Sequence, residues 1–134
     1  MLLKSIVTQQ ANGQIIHGRN FDYDFPSFLS KLTYKAQYVR NGAVIYTSIQ
    51  PAGYVGVITG HRYNSFTFSL NERDQGEWYM NILTLLLDSS SMPVSFLTRE
   101  LMENKTNFNE AVNFLVTSDL IAPAYFIVGG VQPE

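Results

Sequence analysis

Residues 5–17, which read SIVTQQANGQIIH, decide the start of the fold. Two apolar runs, at residues 5–8 and 15–17, flank the dipeptide Asn12-Gly13. Asn-Gly between apolar runs is a strong signal for a β-hairpin, because both turn residues need a positive φ. The stretch therefore predicts two antiparallel strands joined by a tight turn.

The same pattern recurs further along the chain. Residues 32–38 alternate apolar and polar side chains, which is the period of a half-buried strand, and Asn41-Gly42 then leads into an apolar run at residues 43–48. Two more strands are predicted at residues 54–59 and 65–70. Three glycines punctuate the first of these and predict bulges or a close approach of backbones: Gly53, Gly56 and Gly60.

The second half of the chain has helical spacing. Apolar residues at i, i+4, i+7 and i+8 predict a helix over residues 78–86. A second helix carries the apolar residues between 94 and 102, with Ser91 or a neighbour as its N-cap. A third helix opens at Thr106 or Asn107, with Glu110 in the spacing of a capping box.

The last predicted element is an apolar run at residues 125–128, followed by Gly129-Gly130 and typical of a strand buried on both faces. The order of strands, helices and a final strand predicts an α+β fold, with helices on one face of a mainly antiparallel sheet. A length of 134 residues allows one domain. Because a core strand needs neighbours, we expect residues 1–134 to be a single, incomplete domain.

Composition excludes several classes of protein. The net charge is −2 and no basic run occurs, which disfavours a nucleic-acid partner. The chain has no cysteine and two histidines, so it holds no disulfide and no thiol nucleophile, and no metal site is predicted. The longest strongly apolar stretch, residues 80–87, is far short of the ~20 residues of a membrane span. Residues 1–4 show no signal peptide.

Two polar clusters are candidates for chemistry. Arg19 and Asp22 follow the second predicted strand, and they read either as a structural salt bridge or as a pair that holds a reacting group. His17 beside them reads as a hydrogen-bonded strand residue rather than a catalyst. Residues 71–74, Asn-Glu-Arg-Asp, read either as a solvated turn with a cap or as a carboxylate and an amide at a sheet edge.

Five stretches of the sequence occur in the order known from one enzyme family: Ser5-Ile6-Val7, residues 17–23 (HGRNFDY), Gly53-Tyr54-Val55-Gly56, Asn71-Glu72-Arg73 and residues 122–130 (APAYFIVGG). Together they resemble the start of the catalytic subunit of the acid ceramidase and N-acylethanolamine acid amidase family. The resemblance covers nearly the whole chain and does not separate the two kinds of enzyme.

The resemblance implies an N-terminal-nucleophile hydrolase with an αββα sandwich, of which this chain is a part. In such enzymes a precursor cuts itself, and the new N-terminal cysteine attacks a lipid amide with its own α-amine as base. On this match Arg19 and Asp22 are catalytic, and Glu72 falls on an active-site glutamate. Tyr23 and Tyr54 border the acyl-chain pocket. No cofactor is implied, because the attacking group and its base belong to the protein.

The chain departs from the family pattern at its ends. The family begins Cys-Thr-Ser-Ile-Val, and the corresponding residues here are Leu3-Lys4-Ser5-Ile6-Val7, so Leu3 occupies the position of the nucleophile. The family's oxyanion asparagine and second arginine fall beyond Glu134. We therefore expect this chain, as written, to be inactive alone. The alternatives are a non-catalytic protein that binds a lipid or a partner, and an inert fragment.

The remaining expectations come from the same resemblance. Asn104-Lys105-Thr106 has the pattern of an N-glycosylation site, which gains weight because members of the family are glycosylated lysosomal proteins. The implied substrate is a fatty-acid amide or a sphingolipid. The implied partner is an α subunit derived from the propeptide.

Overall fold

The strands and helices are those of a computed structural model that describes residues 4–20, 26–73 and 91–130. The side chains of Pro26 and Glu72 lie outside this description. Within these ranges the elements follow one another in this order: β1 (Lys4–Gln9), β2 (Ile15–Asn20), α1 (Pro26–Leu32), β3 (Thr33–Arg40), β4 (Ala43–Pro51), β5 (Thr59–Arg62), β6 (Phe66–Glu72), α2 (Val94–Asn104), α3 (Phe108–Thr117) and β7 (Ala124–Gly130).

The described strands form two antiparallel sheets. One is the β1–β2 hairpin, with Ser5 opposite Arg19 and Val7 opposite His17. The other has five strands in the order β3-β4-β5-β6-β7. The α+β prediction with a mainly antiparallel sheet is thereby confirmed.

The two Asn-Gly turns differ. Asn41 and Gly42 both have positive φ, 53° and 80°, as a two-residue hairpin turn requires. In the first hairpin only Gly13 has a positive φ, 83°, and the strands end at Gln9 and resume at Ile15. The loop is therefore longer than predicted. It is closed by a hydrogen bond from the Gln10 amide to the Gln14 carbonyl at 2.9 Å.

The strand predicted at residues 54–59 is wrong: its residues form a loop, and β5 begins at Thr59. Gly56 has a φ of 144°, and a Cβ there would lie 2.8 Å from the Ser95 carbonyl oxygen at the start of α2. The predicted close approach of backbones is thus confirmed at Gly56 and not at Gly53 or Gly60, since a Cβ would meet nothing within 4 Å at Gly53 and only side chains at Gly60. Glycine suits this position, because residues with a side chain disfavour such a φ.

The helices differ from the predictions in two respects. Helix α1 was not predicted, and it takes Leu32 from the predicted strand. Pro93, and not Ser91, stands at the N-cap of α2, without a side-chain cap. The predicted cap of α3 is confirmed, because the Asn107 side chain accepts a hydrogen bond from the Glu110 amide at 2.9 Å. The helix predicted at residues 78–86 lies outside the described residues.

The core lies between α2, α3 and one face of the five-stranded sheet, as predicted. Its buried apolar side chains come from both helices, from β4 and β6, and from the loop before β5: Tyr46, Val57, Phe66, Phe68, Leu97, Leu101, Met102, Ala111 and Leu115. Strand β7, predicted to be buried on both faces, is only partly so, since Tyr125 is 53% exposed.

The opposite face of the same sheet meets the β1–β2 hairpin. Strand β6 alternates, with Phe66, Phe68 and Leu70 towards the helices and Thr67, Ser69 and Asn71 towards the hairpin. The period of two that defines a strand separates these sets. The described layers therefore run helices, sheet, hairpin.

Candidate active site

The contact between hairpin and sheet is polar, and we call it the interlayer. Its side chains come from β1, β2, β5 and β6, and they are Ser5, His17, Arg19, Thr59, Thr67, Ser69 and Asn71. Between two sheets an apolar contact is the usual arrangement. A buried layer of hydrogen-bonding groups is therefore a feature that needs a functional explanation.

Arg19 binds the hairpin to two strands of the sheet. Its Nη1 donates to the Ile58 carbonyl and to Thr59 Oγ1, both at 2.9 Å. Its Nη2 donates to the Leu70 carbonyl at 3.0 Å and to Asn71 Oδ1 at 3.1 Å. Because each Nη carries two hydrogens, all four Nη hydrogens have protein acceptors.

The side chain of Arg19 places a positive charge in a partly buried region. Burial lowers the pKa of Arg19 from its ordinary value. Guanidinium groups stay protonated in proteins all the same, and the four acceptors described above are neutral. The interlayer therefore presents a fixed cation close to the end of β2, which strengthens its attraction for a developing negative charge.

A second set of hydrogen bonds runs beside Arg19. Ser5 Oγ lies 2.8 Å from Ser69 Oγ, which lies 3.0 Å from His17 Nε2. The other ring nitrogen, His17 Nδ1, lies 2.9 Å from Thr67 Oγ1. Burial first and the charge of Arg19 second lower the pKa of His17. His17 is thus a hydrogen-bonded strand residue, as the sequence predicted.

The structure places the predicted site residues unequally. Arg19 lies in the interlayer. Asp22, Tyr23 and Leu3 lie outside the described residues, so their predicted roles stay predictions. Glu72 ends β6 opposite Ala124.

Two other predicted residues lie away from the interlayer contacts. Tyr54 belongs to the loop before β5, and its carbonyl accepts a 3.5 Å hydrogen bond from Gln50, a residue buried on the helix side of the sheet. Asn104 is exposed at the end of α2. The suggested pocket role of Tyr54 and the glycosylation of Asn104 stay predictions.

The interlayer residues that were not predicted to matter are Thr59, Thr67 and Ser69, whereas Asn71 is the amide of the site predicted at a sheet edge. Ser69 is fully buried and Asn71 is 8% exposed. Asn71 belongs to strand β6, and it is not part of the solvated turn that was one interpretation of residues 71–74. The alternation of aromatic and hydroxyl side chains in residues 66–69 was the available signal, because it marks a strand with one polar, buried face. Thr59 gave no such signal.

Two further findings bear on function. Among the described residues, no group of three or more histidine, aspartate or glutamate side chains is placed to hold a metal ion. No helix in the described ranges is long and apolar enough to cross a membrane.

Comparison with known proteins gives consistent matches. Residues 4–133 match the model of the linear amide C-N hydrolases, choloylglycine hydrolase family. The chain is 43% identical over 130 residues to the N-acylethanolamine-hydrolyzing acid amidase of Rattus norvegicus, covering 97% of this chain and 36% of that protein. It is 37% identical over 143 residues to the acid ceramidase of Pan troglodytes, with 96% and 36% covered.

A solved structure agrees with these matches. The Caenorhabditis elegans N-acylethanolamine-hydrolyzing acid amidase ortholog superposes with a TM-score of 0.83 at 40% identity, covering 98% of this chain and 56% of that one. The described layers are therefore part of an N-terminal-nucleophile hydrolase sandwich, as the resemblance implied. The chain spans about a third of the length of the curated relatives it matches, 36%. It belongs to the linear amide C-N hydrolases of the choloylglycine hydrolase family.

Proposed function

We propose that these residues build one side of the active site of a lipid amide hydrolase that releases a fatty acid and an amine. The observation that carries the proposal is Arg19, whose four Nη hydrogen bonds join β2 to β5 and β6. These hydrogen bonds hold the guanidinium charge in one position beside the first strand, and they fix the positions of the strands that it joins. Amide hydrolysis needs both.

The hydrogen bonds define how Arg19 can act. Since its Nη hydrogens already have acceptors, it contributes through its charge and through the positions of the two sheets, not by donating those hydrogens to substrate. Negative charge develops on the carbonyl oxygen as the amide is attacked, and a fixed cation in a water-poor site stabilises it. We propose that Asp22 and Glu72 complete this side of the site.

Residue 3 restricts the proposal. A leucine has no atom that can attack a carbonyl, so the sequence as written, with Leu3, has no nucleophile at the position that the resemblance assigns to cysteine. We propose that residues 1–134 as written are not catalytic by themselves. Leu3 also favours a second function, in which the chain binds a lipid amide or a partner without cleaving it.

We propose N-acylethanolamines as the substrate class, ahead of ceramides. Two amidases match at 43% and 42% identity, whereas two acid ceramidases match at 37% and 36%. The short connection between Tyr23 and Leu32 also resembles the amidases, whereas residues 71–73 and 122–125 resemble the ceramidases. Tyr23 and Tyr54 are the proposed border of the acyl-chain pocket, and a propeptide-derived subunit is the proposed partner.

Purification of the native protein that carries these residues tests the proposal. Its intact mass and first residue would show whether Leu3 is present in the mature form, and hydrolysis of an N-acylethanolamine and of a ceramide would be compared. With a nucleophile present, we expect cleavage of the N-acylethanolamine to be faster. With Leu3 retained, we expect no cleavage, and saturable binding of a fluorescent fatty-acid amide would then support the second function.

A matched pair of arginine variants tests the site itself. The variants are made in the native protein with a nucleophile at the position of Leu3. Arg19→Lys retains the charge but loses the planar fork, so we expect kcat/KM to fall on the order of 100-fold. Arg62→Lys is the control, because Arg62 donates to the Met102 and Glu103 carbonyls at the end of α2. Equal activity of the two variants would contradict the assignment of Arg19.

Glycosylation and lysosomal residence are further proposals. Asn104 is exposed, and its side chain donates to Glu100 at 2.8 Å on the surface of α2. We expect a glycan-sized loss of mass on treatment with an N-glycosidase, absent in Asn104→Gln and retained in Asn109→Gln, an exposed asparagine outside the sequon. Co-localisation with a lysosomal marker would test residence, and a cytosolic distribution would contradict it.

A further inference from the structure

The hydrogen bonds around His17 have a direction that can be worked out by counting hydrogens. Thr67 Oγ1 carries one hydrogen, and it donates that hydrogen to the Gly129 carbonyl at 3.2 Å. Thr67 therefore accepts in its 2.9 Å contact with His17 Nδ1. The hydrogen in that contact has to be on the imidazole, at Nδ1.

The remaining directions follow from this assignment. A neutral imidazole has one N–H, so with Nδ1 protonated the other nitrogen, Nε2, is an acceptor. Ser69 donates to Nε2 at 3.0 Å, which uses the hydroxyl hydrogen of Ser69. Ser5 must then donate to Ser69 at 2.8 Å. The chain runs one way, from Ser5 through Ser69, His17 and Thr67 to the Gly129 carbonyl.

We propose that His17 is a positioning residue: its neutral Nδ1–H tautomer fixes the hydroxyl of Ser5, and protonation of Nε2 reverses the half of the chain between His17 and Ser5. The proposal deepens the proposed function and rests on it, because Ser5 lies two residues after the position that the resemblance assigns to the nucleophile. Its structural part, the tautomer, rests on the hydrogen bond from Thr67 to the Gly129 carbonyl and not on the proposed function.

Protonation of His17 reverses the hydrogen bonds between His17, Ser69 and Ser5. A proton from solvent binds Nε2, which becomes a donor to Ser69. Ser69 then turns its own hydrogen towards Ser5, and the Ser5 hydroxyl changes from donor to acceptor and releases its hydrogen for another partner. No hydrogen bond within the chain is lost, so the hairpin stays attached while the polarity beside its first strand changes.

The surroundings of His17 oppose this proton. The charged or titratable groups that face it from the described elements are Arg19 on its own strand and His61, which pairs with Thr67 on the same sheet face. β1, β6 and β7 contribute the uncharged Ser5, Ser69, Thr67 and Gly129. Burial and the Arg19 charge lower the pKa of His17, so the reversal belongs to acidic pH, below the ordinary value of 6.5.

The first test reads the tautomer directly. The full-length protein carrying these residues is labelled with ¹⁵N-histidine, and long-range ¹H–¹⁵N spectra are recorded from pH 8 to pH 4, with His17→Gln to assign the signal. We expect one Nδ1–H tautomer at neutral pH, and protonation at Nε2 in acid. An Nε2–H tautomer, or an average of two exchanging tautomers, would overturn the proposal whether or not the protein hydrolyses amides.

The second test asks whether the row of hydrogen bonds from Ser5 to Gly129 affects the reaction. Ser69→Ala breaks it in the middle, and Ser65→Ala is the control, because Ser65 donates to the Thr106 carbonyl outside the interlayer. In the native protein with a nucleophile at the position of Leu3, we expect Ser69→Ala to lower kcat at least about ten-fold, with little change in KM and with a changed acid limb of the pH–rate profile. A uniform loss at every pH would assign Ser69 a merely structural role. A native protein that has a nucleophile at the position of Leu3 and still cleaves no lipid amide would refute the proposed function, and the tautomer would still decide the assignment of His17.

Discussion

The two faces of β6 have opposite chemistry although they belong to consecutive residues. Towards the helices, Phe66 and Phe68 pack in the apolar core and are 2% and 0% exposed. Towards the hairpin, Ser69 is equally buried, at 0%, but contacts the hydroxyl group of Ser5 and the imidazole of His17. One strand therefore supports two kinds of packing, one non-directional and one that depends on the geometry of each hydrogen bond.

The difference indicates a division of tasks. Apolar burial contributes free energy in proportion to area and tolerates small shifts. A hydrogen-bonded layer contributes less net stability, but it holds each donor and acceptor in one orientation. The helix side of the sheet thus supplies most of the stability, and the hairpin side holds its polar groups in fixed orientations.

The largest effect expected from this division is on the free energy of unfolding. Phe68→Ala leaves a cavity in the core and should lower the free energy of unfolding by about 3–5 kcal/mol. Ser69→Ala, one residue away and just as buried, should lower it by only about 1–2 kcal/mol, because hydrogen bonds rather than volume are lost. Urea denaturation measures both. Equal losses would contradict the division between the two faces.

Two adjacent glycines of β7 allow a sharper comparison. A Cβ at Gly129 would lie 2.6 Å from Thr67 Oγ1 and 2.9 Å from Val7 Cγ1, on the hairpin side. A Cβ at Gly130 would lie 2.6 Å from the Phe108 ring of α3, on the helix side. Either substitution to alanine should lower stability by about 1–3 kcal/mol through overpacking.

The location of the damage should differ between these two variants. Hydrogen exchange should rise in β1 and β2 for Gly129→Ala and in α3 for Gly130→Ala, because each new methyl group displaces a different layer. Gly129→Ala should also disturb the tautomer of His17, since Thr67 contacts both. The same exchange pattern in both variants would show that the two faces are not independent.

Local signals in the sequence predicted much of this arrangement. Asn41-Gly42, the cap at Asn107 and the alternation at residues 65–70 each act over a few residues, and each predicted element exists. Arg19 was singled out because it stands at a strand end. The strand predicted at residues 54–59 failed at a place where the backbone of Gly56 lies against Ser95, a residue far away in the sequence.

The partners of the site residues could not be predicted in the same way. Arg19 and Asn71 are 52 positions apart, and their contact depends on the hairpin lying across β5 and β6. A polar face on β6 indicates that something polar covers it. The pattern does not say which element does so, because packing between sheets is decided by tertiary contacts rather than by local propensity.

A smaller effect is expected at the cap of α3. Asn107→Ala removes the acceptor for the Glu110 amide and should lower the free energy of unfolding by about 1 kcal/mol. Asn107→Asp is the matched control, because a carboxylate also accepts this hydrogen bond and complements the helix N-terminus. Thermal unfolding checks both variants. A loss of the same size in Asn107→Asp would show that the amide group itself, and not capping, is required.

The smallest effect is on the pH dependence of stability, and it belongs to the hairpin side. Folding lowers the pKa of His17, so the unfolded chain binds this proton at a higher pH than the folded chain. The contribution of His17 to the free energy of unfolding is therefore complete above pH 6.5 and is lost as the pH falls towards the folded pKa.

Glu110 contributes in a lower pH range, because the Thr106 amide lowers its pKa from 4.5. Between these two values, unfolding free energies of the wild type should decline with acid more steeply than those of His17→Gln, whereas Glu110→Gln should follow the wild type. Parallel curves for wild type and His17→Gln would mean that the imidazole takes up its proton as readily in the interlayer as in water, which its burial and the charge of Arg19 oppose.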